Sequence, residues 1–462
     1  MLRHLNRGKL FYRRVFYLAL PLILQNLVTT SLGFVDTFMV GLLGNEEMAA
    51  VTAANAPIFL VQVIIFGVMS GLTVLVSQYW GKGDTGTINR CMGVALYVGV
   101  GVAAAVAATL FLAPAQVLSL VTDNLRLIEL GAPYIRIVGL SYVFNAASSV
   151  YVAMQRSTEN PALGMKVFCT SMLVNTGLNY VLIFGKLGCP ALGITGAALA
   201  TLTSRMVEFA IVAVYGVRDR RVPLEPGKLL RPGTAIARDF VRYATPVVGN
   251  ETLWGLGTTV LTAIMGHMDE STAFLAAHAL MGNVDKFATV ACFGLAGAAA
   301  VLVGKGIGEG DSREETYSLS LCLLLLSLGV GVLISLALAA LLPTFFRPVL
   351  FPLFKLSPAA TRIATSMCLV YLVYMPMRAF DITNITGVLR AGGDALMAAA
   401  IDLGPLWLLA IPLTAALGLW LRAPAAVVCF ALQAENLAKM PLGIVRLRSR
   451  KWIHQVTREE TA

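Results

Sequence analysis

This sequence predicts an all-α integral membrane protein: twelve transmembrane helices arranged as two pseudo-symmetric six-helix bundles. Three observations carry that prediction. The composition is too apolar for water, the apolar runs divide the chain into twelve, and an internal repeat divides it into two. Of 462 residues, 57% are apolar and 13% are charged, and the mean hydropathy is +0.77. A soluble domain carries about 25% charged residues. A chain with half that share lacks the polar material to cover a core of its own size. One spanning helix needs about 20 largely apolar residues, so the apolar content supplies roughly twelve spans and leaves little for a domain outside the membrane.

The apolar stretches run near 14–42, 48–80, 89–112, 127–155, 161–186, 194–217, 239–267, 272–304, 316–342, 359–389, 395–420 and 424–446. The first follows Arg3, Arg7, Lys9, Arg13 and Arg14 but runs past Gly41 with no small-residue cleavage pattern, and is expected to stay as a first helix. The longest connection, 218–238, holds Arg218, Arg220 and Arg221 and then Pro223, Pro226 and Pro232. It is expected to be a cytoplasmic linker between an N-terminal lobe, 1–217, and a C-terminal lobe, 239–462. With the N-terminus placed in the cytoplasm, the inner segments hold 23 Lys and Arg, Arg156 and Arg390 among them, against 6 outside. That is a positive-inside distribution with both termini cytoplasmic. It accounts for the net charge of +10 without a nucleic-acid partner. The seven cysteines are dispersed, with no CxxC pair and no Cys/His cluster, and read as small buried hydrophobes.

Gly67 to Asp84 reads GVMSGLTVLVSQYWGKGD, and Gly294 to Asp311 reads GLAGAAAVLVGKGIGEGD; seven positions coincide, including the trailing GxGD. Pro21 matches Pro246, and Arg156 matches Arg390, in the same order. Six spans per half make the repeat parallel, an architecture suited to alternating access around a central space. The glycine run 304–310 is not a phosphate loop, because Lys305 is followed by Gly306 and no strand precedes it.

Ionisable groups inside spans cost about 2.5–3.5 kcal/mol each and are functional candidates by default. Asp36, Glu251 and Asp381 lie deep in spans one, seven and ten, and Asp285 and Lys286 are adjacent in span eight. Arg205/Glu208 and Glu435/Lys439 are spaced to pair on one helix face. Arg378 and Asp381 have the same i,i+3 spacing, which offers Asp381 a structural alternative, and Lys286 is a candidate partner for Asp285 or Glu251. Asp36 has no basic neighbour in its own helix. It must face a cavity, find a partner or take a proton. Gln25, Thr29, Gly33 and Asp36 recur at helical spacing, and Asn175 and Asn179 share a face of span five. Such amides either coordinate Na⁺ or hydrogen-bond the acid, or they join helices. Phe34, Phe38, Met39, Tyr142 and Trp254 are candidates to line a pocket for flat hydrophobic cations. The four histidines form no catalytic cluster, so no enzyme is expected.

Together these features resemble the multidrug and toxic compound extrusion (MATE) family, in its NorM-like bacterial branch. The resemblance is carried by Pro21, Gln25, FVDTFMVGLLG around Asp36, the span-two GxGD end and LGITGAALAT at 192–201. In the second half it is carried by NETLWG at Glu251, AAHALMGN ending at Asn283, and VLRAGGD at 388–394. It implies two six-helix lobes in a V, with no cofactor. It also implies export of cationic, often aromatic compounds by a monomer in the bacterial inner membrane, through a rocker switch driven by H⁺ or Na⁺. By the same resemblance Asp36 is the N-lobe coupling carboxylate with Asn175 and Asn179 as partners, and Glu251 and Asp381 are the C-lobe pair. A Na⁺ ion would sit at one set or the other. Ala279, the Asp285–Lys286 pair and Met377 depart from the family pattern. A lipid-linked or glycan flippase shares this architecture, and it calls for a more basic cavity.

Overall fold

The computed structural model describes residues 7–458. Every expected span is helical, and no strand occurs among the described residues. In order these are α1 Gly8–Gly41, α2 Asn45–Lys82, α3 Thr85–Leu112, α4 Leu125–Ser157, α5 Pro161–Phe184, α6 Gly193–Arg218 and α7 Thr234–Gly266. There follow α8 Ser271–Glu309, α9 Arg313–Leu353, α10 Pro358–Leu389, α11 Ala395–Trp420, and a last span in two pieces, α12 Ala425–Leu432 and α13 Glu435–Ser449. Ten of these helices are long and apolar enough to cross a membrane. Of the two spans beyond those ten, α7 carries Arg238, Asp239, Arg242 and Glu251, and the last span is broken into pieces of 8 and 15 residues.

The GxGD repeat is a turn used twice. Gly83 ends α2 at φ 77° and Gly310 follows α8 at φ 88°, the left-handed geometry that glycine adopts without a Cβ penalty. The next amide closes back in both places, Asp84 N onto Tyr79 O and Asp311 N onto Gly306 O, each at 3.0 Å. The caps that follow differ. Asp84 itself accepts from Thr87 N at 2.8 Å, whereas α9 is started by a reciprocal Ser312–Glu315 capping box.

The chain divides into two compact units, and the division does not fall in the linker. One unit takes the chain up to Ile23 and from Gly249 onward; the other is Leu24–Val248. The segment 218–238 lies wholly in the second unit. Asn89 donates to Pro223 O at 3.0 Å and accepts from Glu225 N at 3.1 Å, and Tyr97 donates to Leu230 O. The reason the boundary cuts α1 and α7 is close packing of backbone. Gly294 and Gly297 of α8 lie against Ile23 and Leu22, and Gly67 and Gly71 of α2 lie against Val248 and Ala244. A Cβ at Gly71 would come 2.7 Å from the Ala244 Cβ, and one at Gly297 would come 2.9 Å from Leu22 Cδ1. Each unit thus takes one end of the other half's first helix.

Each unit has its own apolar core. In the first, Val15, Leu18, Leu295, Val301, Leu323 and Val388 belong to one cluster, and a second lies around Met265, Met281, Ile363 and Cys368. In the other unit Ile58, Leu118, Ile135 and Ile194 form the main cluster. The widened π-helical turns, 342–350, 383–389, 406–410 and 416–420, all fall in α9, α10 and α11. Such turns displace a helix face and often occur beside functional groups. The one at 383–389 begins two residues after Asp381.

Candidate functional site

In Leu24–Val248 the acid of interest is Asp36, past the middle of α1. The i,i+4 spacing of Asn175 and Asn179 puts both amides on one face of α5, each 1% exposed. Asn179 Nδ2 donates to Asp36 Oδ1 at 2.6 Å and to Asn175 Oδ1 at 2.9 Å, which uses both of its hydrogens. Asn175 Nδ2 reaches Thr201 Oγ1 at 3.5 Å. Asn179 Oδ1 is buried with no partner, an open acceptor. Arg205 of α6 is the cation in electrostatic reach of Asp36, yet it is spent on Glu208 at 2.7 Å, as the helix spacing predicts. Gln25 lies about three turns before Asp36. Its buried Oε1 has no partner and rests where a Cβ on Gly164 would come within 2.6 Å.

The other unit holds its acids among charges. Glu251 of α7 pairs with Arg390 at 2.9 Å, and Arg390 is 2% exposed. Arg390 therefore is not the loop charge that the topology count makes it; its guanidinium turns inward to the acid. Asn250, 2% exposed, donates to Asp402 Oδ2 at 2.9 Å and approaches Glu251 Oε1 at 3.5 Å. Lys439 of α13, 5% exposed, contacts Asp402 Oδ1 at 2.7 Å and Glu435 Oε2 at 3.1 Å. The Glu435–Lys439 helix-face pair is present, but its lysine also crosses to α11.

Asp381 is 3% exposed, and neither of its oxygens has a hydrogen-bond partner. Its charged neighbours are Lys439, Asp402 and Glu435. The Arg378–Asp381 pairing does not form, because Arg378 reaches across to Asp285 at 2.7 Å. That contact also removes the expected role of Lys286, which is exposed. One turn beyond Asp381, Asn384 is fully buried with both amide atoms unpartnered. Asn283 lies exposed on α8, outside this network.

The structure therefore gathers Asp36 with Asn175 and Asn179. It places Glu251 and Asp381 in a network that includes Asn250, Asp402, Glu435, Lys439 and Arg390. Sequence spacing missed Asn250, Asp402 and Arg390, because their partners lie on other helices. Four carboxylates against two cations leave a negative excess in a buried place, which a proton or a visiting cation relieves. The buried open atoms of this unit include both oxygens of Asp381, Asn384 Oδ1 and Asn250 Oδ1, oxygen ligands of the type that suits an alkali cation. No group of three or more His, Cys, Asp or Glu side chains able to hold a metal ion occurs among the described residues.

The chain is similar to known proteins over most of its length. A family model described as MatE matches residues 21–181 and 246–416, two segments that coincide with the internal repeat. The chain is 24% identical over 450 residues to an uncharacterized transporter, YisQ, of Bacillus subtilis, covering 96% of this chain and 95% of that protein. It is 26% identical over 300 residues to a probable multidrug resistance protein NorM of Thermotoga maritima, a match that spans 62% of that relative. Among solved structures, an outward-facing multidrug resistance MATE family transporter superposes with TM-score 0.85 at 17% identity, covering 95% and 96% of the two chains. The Vibrio cholerae MATE transporter VcmN in its bent form superposes with TM-score 0.83 at 21% identity, covering 96% and 98%.

Proposed function

The chain belongs to the MatE family of membrane transporters, and on that footing we propose that it is a secondary active multidrug antiporter. It exports organic cations in exchange for H⁺ or Na⁺ by rocker-switch alternating access. The observation that carries this reading is that each half holds, inside a spanning helix, a carboxylate that no cation bonds: Asp36 with its amide donor, and Asp381 with two open oxygens. In the ionised form such a group attracts a cation; once neutralised by H⁺ or Na⁺ from outside, it releases the cargo. Exchange of one monovalent cation for one coupling ion moves no net charge. Unequal exchange gains or loses about 2.3 kcal/mol per charge per 100 mV.

The reading extends to flat aromatic cations as cargo and to a monomer that needs no cofactor. It also places the protein in a bacterial inner membrane with both termini in the cytoplasm, where the Lys and Arg of the connecting segments concentrate. A phosphate-bearing lipid or glycan cargo fits less well, since Arg205, Arg378, Arg390 and Lys439 are each committed to a carboxylate. The test is ethidium transport in proteoliposomes with H⁺ and Na⁺ gradients imposed separately. Gradient-driven uphill efflux that Asp36→Asn and Asp381→Asn each reduce is the expected result. Undiminished efflux in both variants overturns the coupling role.

A further inference from the structure

We propose that Lys439 is a built-in counter-cation of the C-terminal carboxylate cluster, a positioning residue that limits how many cations the cluster takes and how tightly it holds Na⁺. The proposal rests on the reading of those acids as an ion site, and it concerns a residue whose spacing alone suggests only a helix-face pair with Glu435.

The last span is broken. Gln433 and Ala434 interrupt the helix, and α13 restarts at Glu435, so Lys439 lies in the first turns of the new piece. Its ammonium is buried and bonds carboxylates from two helices, Asp402 at 2.7 Å and Glu435 at 3.1 Å. Asp402 is held from its other side by Asn250 at 2.9 Å. Glu251 has its own cation, Arg390. Asp381 is left with no bonded partner, although Lys439, Asp402 and Glu435 are its electrostatic neighbours.

An ammonium is a compact point charge, the side-chain group that most resembles an alkali cation. Lys439 thus fills from within a place that a visiting cation would otherwise take. A cation that binds at Asp381 meets a fixed positive charge among the same carboxylates. Without that charge, Asp402 and Glu435 are buried and uncompensated, and the cluster gains both affinity and capacity. The corresponding position in the other half, by the register that aligns Arg156 with Arg390, is Arg205. That cation bonds Glu208 of its own helix and leaves Asp36 to an amide. The bridge between helices is particular to the C-terminal half.

The experiment is direct ²²Na⁺ binding to the purified full-length protein at fixed pH, with Lys439→Gln, Lys439→Arg, Asp402→Asn and Asp381→Asn. Lys439→Gln is expected to raise Na⁺ affinity by at least about tenfold, the scale of removing one unit charge at an effective dielectric of about 20. Bound Na⁺ per protein is expected to rise as well. Lys439→Arg keeps the charge and stays near the parent. Asp402→Asn releases the ammonium to compete at Asp381 and weakens binding, a change of opposite sign that decides the matter if Lys439→Gln does not fold. Parent-like affinity and stoichiometry in a folded Lys439→Gln, or in Asp402→Asn, overturn the role of Lys439. If Asp381→Asn leaves Na⁺ binding to Lys439→Gln untouched, the reading of the cluster as an ion site fails instead.

Discussion

The two halves share one helix plan and hold their acids by opposite means. In the first half Asp36 is fixed by a neutral amide, and the neighbouring arginine is spent on its own helix. In the second half Glu251, Asp402 and Glu435 are fixed by buried cations, and the helices that carry Asp381 and Asp402 contain widened turns. The register that aligns Pro21 with Pro246 sets Asn26 opposite Glu251 and Leu261 opposite Asp36. Arg390 therefore has an acid to bond, while its counterpart Arg156 donates to the hydroxyl of Thr73 at 3.2 Å. The repeat thus preserves the framework and leaves each half to neutralise its own interior charge.

The largest expected effect breaks that contrast at its strongest point. Glu251→Gln leaves Arg390 buried without its acid and is expected to cost about 3–5 kcal/mol of stability. It should appear as a large drop in the thermal midpoint in detergent, partly restored by Glu251→Gln with Arg390→Gln. Arg156→Gln removes only a bond to a hydroxyl and is expected to cost about 1–2 kcal/mol. Equal losses in the two halves would mean that the Arg390 pair is not the anchor the geometry makes it.

The framework side of the comparison predicts the reverse, namely equivalence. Gly67→Ala and Gly294→Ala each force a Cβ into the backbone of a crossing helix, Val248 in one unit and Ile23 in the other. Overpacking of this kind costs about 1–3 kcal/mol. Both variants should lower the thermal midpoint alike; a tolerated substitution in one half alone would show that the crossings are not equivalent.

At the first-half acid the expected effect is on transport more than on stability. Asn179→Ala removes the donor to Asp36 and costs about 1.5–3 kcal/mol of interaction with the charged form. Asp36 then loses its fixed donor, and dye efflux is expected to fall about tenfold or more. Efflux at the parent level would set the amide aside as a helix joint.

These contrasts mark where sequence reading stops. The spans were legible because a helix that crosses lipid is apolar over most of its length, even where, as in α7 and α13, it carries a few charges. The Arg205–Glu208 and Glu435–Lys439 pairs were legible because i,i+3 and i,i+4 neighbours share a helix face. The same rule misled at Arg378, whose guanidinium crosses to Asp285 on α8, and at Arg390, whose place at a helix end reads as a loop charge. Partners on different helices leave no local spacing to read. The glycines of the repeat were visible as a pattern, but their use as crossing points needed the backbones they touch. The prolines and arginines of 218–238 are visible in the sequence, whereas the packing that divides the compact units within α1 and α7 is not.

The smallest effect sharpens the comparison at the repeated turn. Asp84 caps the next helix through Thr87 N, so Asp84→Ala is expected to cost about 1 kcal/mol. Asp311 occupies the same turn, but Ser312 supplies the cap, so Asp311→Ala is expected to cost nearly nothing. What Asp311 contributes is a pH dependence. Partial burial, then Glu315 and Glu309, push its carboxyl above the usual range against the pull of Arg7. A carboxyl raised in the folded state binds more protons there than in the unfolded chain, so its contribution to stability declines as pH rises. The thermal midpoint of the parent should therefore fall slightly more than that of Asp311→Asn between about pH 4 and 7, the interval above the ordinary carboxylate value. Parallel pH profiles for the two proteins would mean that the acids flanking this turn are fully solvated, and that the two GxGD turns are electrically alike.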